Sequence, residues 1–234
     1  MAQICGVDGC HAGWVAVSTG LGSGQFGWRV VPRLQDLALS LGAPQVIAVD
    51  VPIGLPDVGA RPCDLEARQL LGPGRASSVF PAPIRPVLAA SCHAEASAAR
   101  RAVEGKGLSI QAWAIVPKIR EIDDALRADP ALRASVREVH PEICFYFMAG
   151  GRPMRFSKKK LDGRAERSDL LRARFGQAVD DALREMRGPD CAADDILDAL
   201  AALWTAQRIA TGEAITLPTT PGRDRFGLPM EMVA

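Results

Sequence analysis

Four aspartates carry the clearest chemistry in this sequence: Asp8, Asp50, Asp195 and Asp198. Asp8 follows the apolar run Ile4-Cys5-Gly6-Val7, and Asp50 follows Val46-Ile47-Ala48-Val49. Asp195 and Asp198 are three apart, and Asp194 and Asp198 four apart, so on a helix either pair shares one face. Carboxylates grouped without Cys or His are hard oxygen donors that suit Mg²⁺ or Mn²⁺. Two such ions roughly 3.5–4 Å apart activate water and stabilise the leaving oxygen of a phosphodiester. The acids are therefore candidate metal ligands and not a proton-transfer pair.

Some of these acids also have an ordinary explanation. Asp-Gly is a favoured hairpin turn, and Asp8 taken alone reads as a turn residue. Asp194 and Asp195 near a helix start complement its dipole and cap free N–H groups. Asp198 lies past the reach of that effect, and like charges at this spacing repel, so a helix that keeps them invites a cation.

The elements that must hold these acids can be read in order. Residues 4–17 predict a hairpin, Phe26 to Val31 a third strand, and Leu34 to Leu41 a helix ended by Gly42. Val46 to Asp50 is a fourth strand of the kind buried on both faces, broken by Pro52 and Gly54. Residues 57–90 are rich in proline and glycine and predict an irregular surface path with one short helix, about Cys63 to Leu70. Helices are predicted over Ala94 to Val103 and Ile110 to Ala128, with Pro117 kinking or restarting the second. A strand at Val136 to His140 leads into the apolar piece Ile143 to Met148; Glu138, His140 and Glu142 share a face if the strand persists. A last helix is predicted over Ala192 to Thr211, closed by Gly212.

The 234 residues suit a single domain, with no repeat or linker to divide it. A net charge of +1 gives no global attraction to nucleic acid, so such a site must be local. Residues 152–174 supply one, with nine Lys or Arg against three acids. There Lys158-Lys159-Lys160 is a candidate phosphate contact, although most charge runs are simply solvated. Arg61, Arg68, Arg75 and Arg85 could line a phosphate groove, or could only solubilise a loop. The six cysteines are scattered without zinc spacing, and the N-terminus has no basic segment followed by a long apolar run. A reduced, cytoplasmic protein with no membrane segment is expected.

Several motifs together resemble a known family. They are Gly-Val-Asp-Gly-Cys-x-x-Gly-Trp-Val-Ala-Val from Gly6, Val-Asp-Val-Pro-Ile-Gly-Leu-Pro from Val49, and Cys-Asp-x-x-Ala-Arg from Cys63. Ser-Ser-Val-Phe-Pro-Ala-Pro-Ile-Arg, Lys-Ile-Arg-Glu-Ile-Asp, Glu-Val-His-Pro-Glu and Asp-Asp-Ile-Leu-Asp-Ala-Leu-Ala-Ala-Leu-Trp-Thr-Ala complete the pattern. It resembles the bacterial family called domain of unknown function 429, regarded as predicted nucleases. The resemblance implies an α/β, RNase H-like fold: a five-stranded mixed sheet flanked by helices, with a helical and irregular insertion at about 52–134 between the fourth and fifth strands. It implies a metal-dependent nuclease in which Asp8, Asp50, Asp195 and Asp198 bind Mg²⁺ or Mn²⁺. Glu138, His140, Lys118, Lys159, Arg61 and Arg68 are the expected contacts to a nucleic acid or nucleotide.

Two other readings differ in chemistry. Actin-like ATPases and sugar kinases also begin with an Asp-Gly hairpin, but need a second, Asp-x-Gly-Gly hairpin; Ala149-Gly150-Gly151 lacks the acid. The other is a non-catalytic nucleic-acid-binding or scaffold protein on the same core.

Overall fold

A computed structural model describes residues 2–234, which form two compact units. The first comprises residues up to Val51, Ala131–Ile215 and Val233–Ala234. It holds a mixed five-stranded sheet of order β3-β2-β1-β4-β5. The strands are β1 (Gln3–Cys10), β2 (Gly13–Gly20), β3 (Phe26–Val31), β4 (Val46–Val49) and β5 (Val136–Glu138). Pairing is antiparallel for β1–β2–β3 and parallel for β1–β4–β5. Helix α1 (Leu34–Ser40) connects β3 to β4.

Strand β1 does not stop at Asp8. The ladder continues through Cys10 opposite Gly13, and Asp8 pairs with Val15. Only residues 11 and 12 turn, so the turn reading of Asp8 is overturned by the register. Side chains alternate along a strand, so Ile4, Gly6, Asp8 and Cys10 share one face. Val46 and Ala48 of β4 join Ile4 and Cys10 in the same buried cluster, and Asp50 continues that alternation.

The second unit comprises Pro52–Pro130 and Thr216–Met232. The expected insertion thus forms most of it, but it also takes in the C-terminal hairpin of β6 (Thr216–Arg223) and β7 (Pro229–Val233, of which Val233 lies in the first unit), which the sequence reading did not anticipate. Helix α2 (Pro62–Arg75) is longer than expected, with non-helical geometry at Gly72 (φ +68°) where only glycine is comfortable. α3 spans His93–Glu104, and α4 runs unbroken over Ile110–Ala128 with Pro117 inside it. This unit has its own apolar cluster, including Ile84, Val87, Ala96 and Val116. Arg85 is buried beside Asp123, at 2.7 Å, and Asp224.

The rest of the first unit is helical: α5 (Pro130–Ser135, of which Pro130 lies in the second unit), α6 (Pro141–Met148), α7 (Leu161–Phe175), α8 (Ala178–Met186) and α9 (Ala193–Thr211). Strand β5 ends at Glu138, and His140 becomes the N-cap of α6. The expected strand face of Glu138, His140 and Glu142 is therefore not continued; Pro141 at the first helical position begins a new element.

Helix α9 is the centre of this unit. Residues 196–206 are all buried, as in a helix covered on every side. It packs on β1, β2 and β4, and against α6, α7 and α8. The close approach to β1 depends on Gly6. A Cβ there would fall on the backbone of Leu203 and Ala199. Backbone cannot swing aside as a side chain can, so Gly6→Ala is expected to cost at least about 1–3 kcal/mol. It should also push α9 away from β1; denaturant unfolding of the variant checks the first effect, and a stability unchanged from wild type would refute it.

No helix among the described residues is long and apolar enough to cross a membrane. No disulfide joins the six cysteines, five of which are buried.

Candidate metal centre

Three elements deliver one acid each to the same place. β1 carries Asp8; the residue after β4 is Asp50, whose N–H donates to Val7 O at 3.0 Å; α9 carries Asp198. One carboxylate oxygen from each lies within 4.8 Å of the others. Asp8 is 8% exposed and Asp198 1%. Asp8 Oδ1 accepts from Gly9 N at 2.7 Å. Asp198 Oδ2 accepts from the Lys158 ammonium, while Asp198 Oδ1 is buried with no hydrogen-bond partner.

Such an orphaned oxygen is costly in a protein interior. Three hard donors from three rigid elements, one of them unsatisfied, fit a divalent cation. Among the described residues this is the one group of acids so placed, and it contains no Cys or His.

The electrostatics of these carboxylates agree. Burial pushes the Asp8 carboxyl well above its ordinary value, and Asp50 and Asp198 push it further. Burial also raises Asp50, against the opposing fields of His140 and Lys158. Asp198 rises from 3.8 to about 7, chiefly through burial, with Lys158 opposing and Asp50 and Glu142 adding. Burial disfavours the Lys158 ammonium, yet Asp198, Asp8 and Asp50 outweigh it and hold Lys158 above the ordinary lysine range. Lys158 thus neutralises part of the charge that a cation would meet.

This fixes the sign of a pH effect. A carboxyl whose folded pKa is raised keeps its proton in the native state after the unfolded chain has lost it. Stability then falls as pH rises through that window, for Asp198 between 3.8 and about 7. Without divalent cations, the melting temperature of the wild type should fall across this range relative to Asp198→Asn, and Mn²⁺ should restore it at neutral pH. A constant offset between the two melting curves at every pH would refute the effect.

The loop bearing Lys158 is clamped to α7. Glu166 accepts from the backbone N–H of Arg155 at 3.0 Å and of Phe156 at 3.2 Å. Arg167 is 0% exposed; it donates to Phe156 O at 3.1 Å and Gly163 O at 2.8 Å, and pairs with Glu142. Glu142 itself sits near enough to raise both Asp50 and Asp198. His140 Nδ1 accepts from Glu142 N at 3.2 Å, so the neutral ring carries its proton on Nε2.

The remaining expected site residues are placed differently. Asp195 is outside the triad: its Oδ2 accepts from Ala192 N at 3.0 Å, capping its own helix because Ala192 has no side-chain acceptor. The lysine run contributes Lys158, whereas Lys159 is exposed. Glu138 is buried in β5. Arg61, Arg68 and Lys118 belong to the second unit. Arg61 is not a groove residue: it is buried, 2.5 Å from Asp64 Oδ1 and 3.0 Å from Ile53 O. Arg68 donates to Val79 O at 2.6 Å, and Lys118 is half-buried on α4.

Glu142 and Arg167 are the site-adjacent pair that sequence reading missed. Glu142 stands in the Glu-Val-His-Pro-Glu motif, but nothing in the spacing links it to an arginine 25 residues later.

The strand order and the acids on β1, after β4 and on the last helix define an RNase H-like protein with a candidate metal centre. A family model described as "Protein of unknown function (DUF429)" matches residues 6–223, and the chain belongs to that family. No curated protein and no solved structure matches it.

Proposed function

We propose that the protein is a metal-dependent phosphodiesterase acting on nucleic acid. The observation that carries this reading is the convergence of Asp8, Asp50 and Asp198, with Asp198 Oδ1 left without a partner. These three would hold Mg²⁺ or Mn²⁺. Such a cation would supply Lewis-acid polarisation of a phosphoryl group and activation of water.

The chain's own residues supply the rest. The three carboxylates, fixed on a sheet and a buried helix, set the position of the reacting group without rearrangement. Lys158, 37% exposed at its side chain, can reach both Asp198 and an entering phosphate and balance its charge. His140, close to Asp50, offers an Nε2–H donor. The exposed Lys159 and its neighbours give an approaching strand a local positive surface.

The test is a calorimetric Mn²⁺ titration of wild type and Asp50→Asn, with cleavage of labelled single-stranded, duplex and branched DNA and RNA. Saturable binding lost in Asp50→Asn, with cleavage of at least one substrate lost in parallel, is the expected result. Equal Mn²⁺ binding by both proteins would remove the metal centre. Nucleic-acid binding without cleavage at saturating Mn²⁺ would favour the non-catalytic reading instead.

A further inference from the structure

Away from the acids, the first unit has a cleft of about 370 Å³ between α7, α8 and the start of α9. That volume is within the range of small-molecule sites. Leu183 and Leu197 contribute an apolar floor, and Arg164, Arg184, Arg187 and Ser168 a polar wall. No carboxylate lines it among the described residues.

The state of the arginines is informative. Arg184 is tied to Asp181 at 2.7 Å. Arg164 and Arg187 have no acid partner among the described residues, and Arg164 Nε is buried without any hydrogen-bond partner. On the same helix as Arg164, Arg172 by contrast pairs with Asp169 and Asp180. Two unpaired guanidinium groups over an apolar floor are completed by an anion attached to an apolar body. Guanidinium forks match phosphate, and their planes also stack on aromatic rings.

We propose that this cleft is a nucleotide-phosphate subsite: Arg164 and Arg187 bind the phosphate, and Leu183 and Leu197 receive the base or sugar. For the nucleic-acid origin of its ligand it rests on the phosphodiesterase reading. The cleft and the acids share α9, where Leu197 precedes Asp198; Ala193, also lining the cleft, is about 7.5 Å of helix axis from Asp198. Lys158 lies three residues before Leu161, another lining residue. A strand with its scissile phosphate at the acids would place a flanking nucleotide here. A free nucleotide offers the same chemistry.

Binding is measured in EDTA, so that the metal centre takes no part, using adenosine 5′-monophosphate, inorganic phosphate and a short single-stranded oligonucleotide. Arg164→Gln/Arg187→Gln should weaken nucleotide binding about tenfold or more. Arg187→Glu, at an exposed position that cannot disturb the core, should weaken it too. A tighter oligonucleotide with a steep salt dependence supports the strand as the source; equal affinity for the mononucleotide supports a free nucleotide at the same subsite. Affinity indifferent to both arginine variants would overturn the subsite. Inorganic phosphate bound as tightly as the nucleotide would overturn the role of the apolar floor. Arginine-dependent binding in a protein that cleaves nothing leaves the subsite standing while the phosphodiesterase reading falls. Cleavage with unchanged KM in the arginine variants does the reverse.

Discussion

Arg167→Met is expected to lower the unfolding free energy by about 3–5 kcal/mol, the usual cost of breaking a buried ion pair by removing one partner. Methionine replaces much of the arginine stem's volume, so packing is not the main loss. The loss is electrostatic: Glu142 is left buried without its cation, beside Asp50 and Asp198, whose protonation it already promotes. The carbonyls of Phe156 and Gly163 also lose their donor. Glu142→Gln added to Arg167→Met should recover a large part of the stability, because the stranded charge is then gone. Urea unfolding of the two single variants and the double variant gives the coupling energy directly. A coupling near zero would mean that the pair does not act as a unit. The same change frees the loop that carries Lys158, so metal binding should also change in an Arg167→Met sample that remains folded.

Asp8→Asn is expected to lower metal-dependent hydrolysis about a thousandfold or more. Lewis-acid stabilisation is worth several kcal/mol, and each ~1.4 kcal/mol is a factor of ten in rate. The amide nearly keeps the carboxylate's shape and can still meet Gly9 N through its oxygen, so the fold should survive. What it removes is one negative oxygen from a set of three that must act together. Groups acting as a unit are far from additive. Asp8→Asn/Asp50→Asn should therefore be little worse than either single change. Single-turnover rates at saturating Mn²⁺ test this; full independence of the two losses would argue that the acids do not share one centre.

Strongly periodic or capped segments were legible: α4 covers the predicted residues Ile110–Ala128, and α9 ends at Gly212 with φ +75°, where a left-handed residue is needed. The strands β1 to β4 followed from apolar runs bounded by glycine and proline. Strand β5 and the start of α6 were only half legible, because the alternation of Glu138, His140 and Glu142 imitates a strand while Pro141 already starts a helix.

For the site, the amino-acid order by itself determined that a carboxylate follows each of two apolar runs and others begin a late helix, and that no softer ligands accompany them. That is local information, carried by residue type and spacing. Which helix acid faces the sheet was not. Asp195 and Asp198 lie on one helical face by spacing alone, yet Asp195 satisfies the start of its own helix while Asp198 meets Asp8 and Asp50. Likewise Arg61 looked like a groove residue until burial beside Asp64 removed it from the surface, and Lys158 is distinguished from Lys159 by its ion pair with the buried Asp198. These choices depend on packing between residues far apart in the chain, above all on Gly6 letting α9 approach β1, and only the tertiary structure decides them.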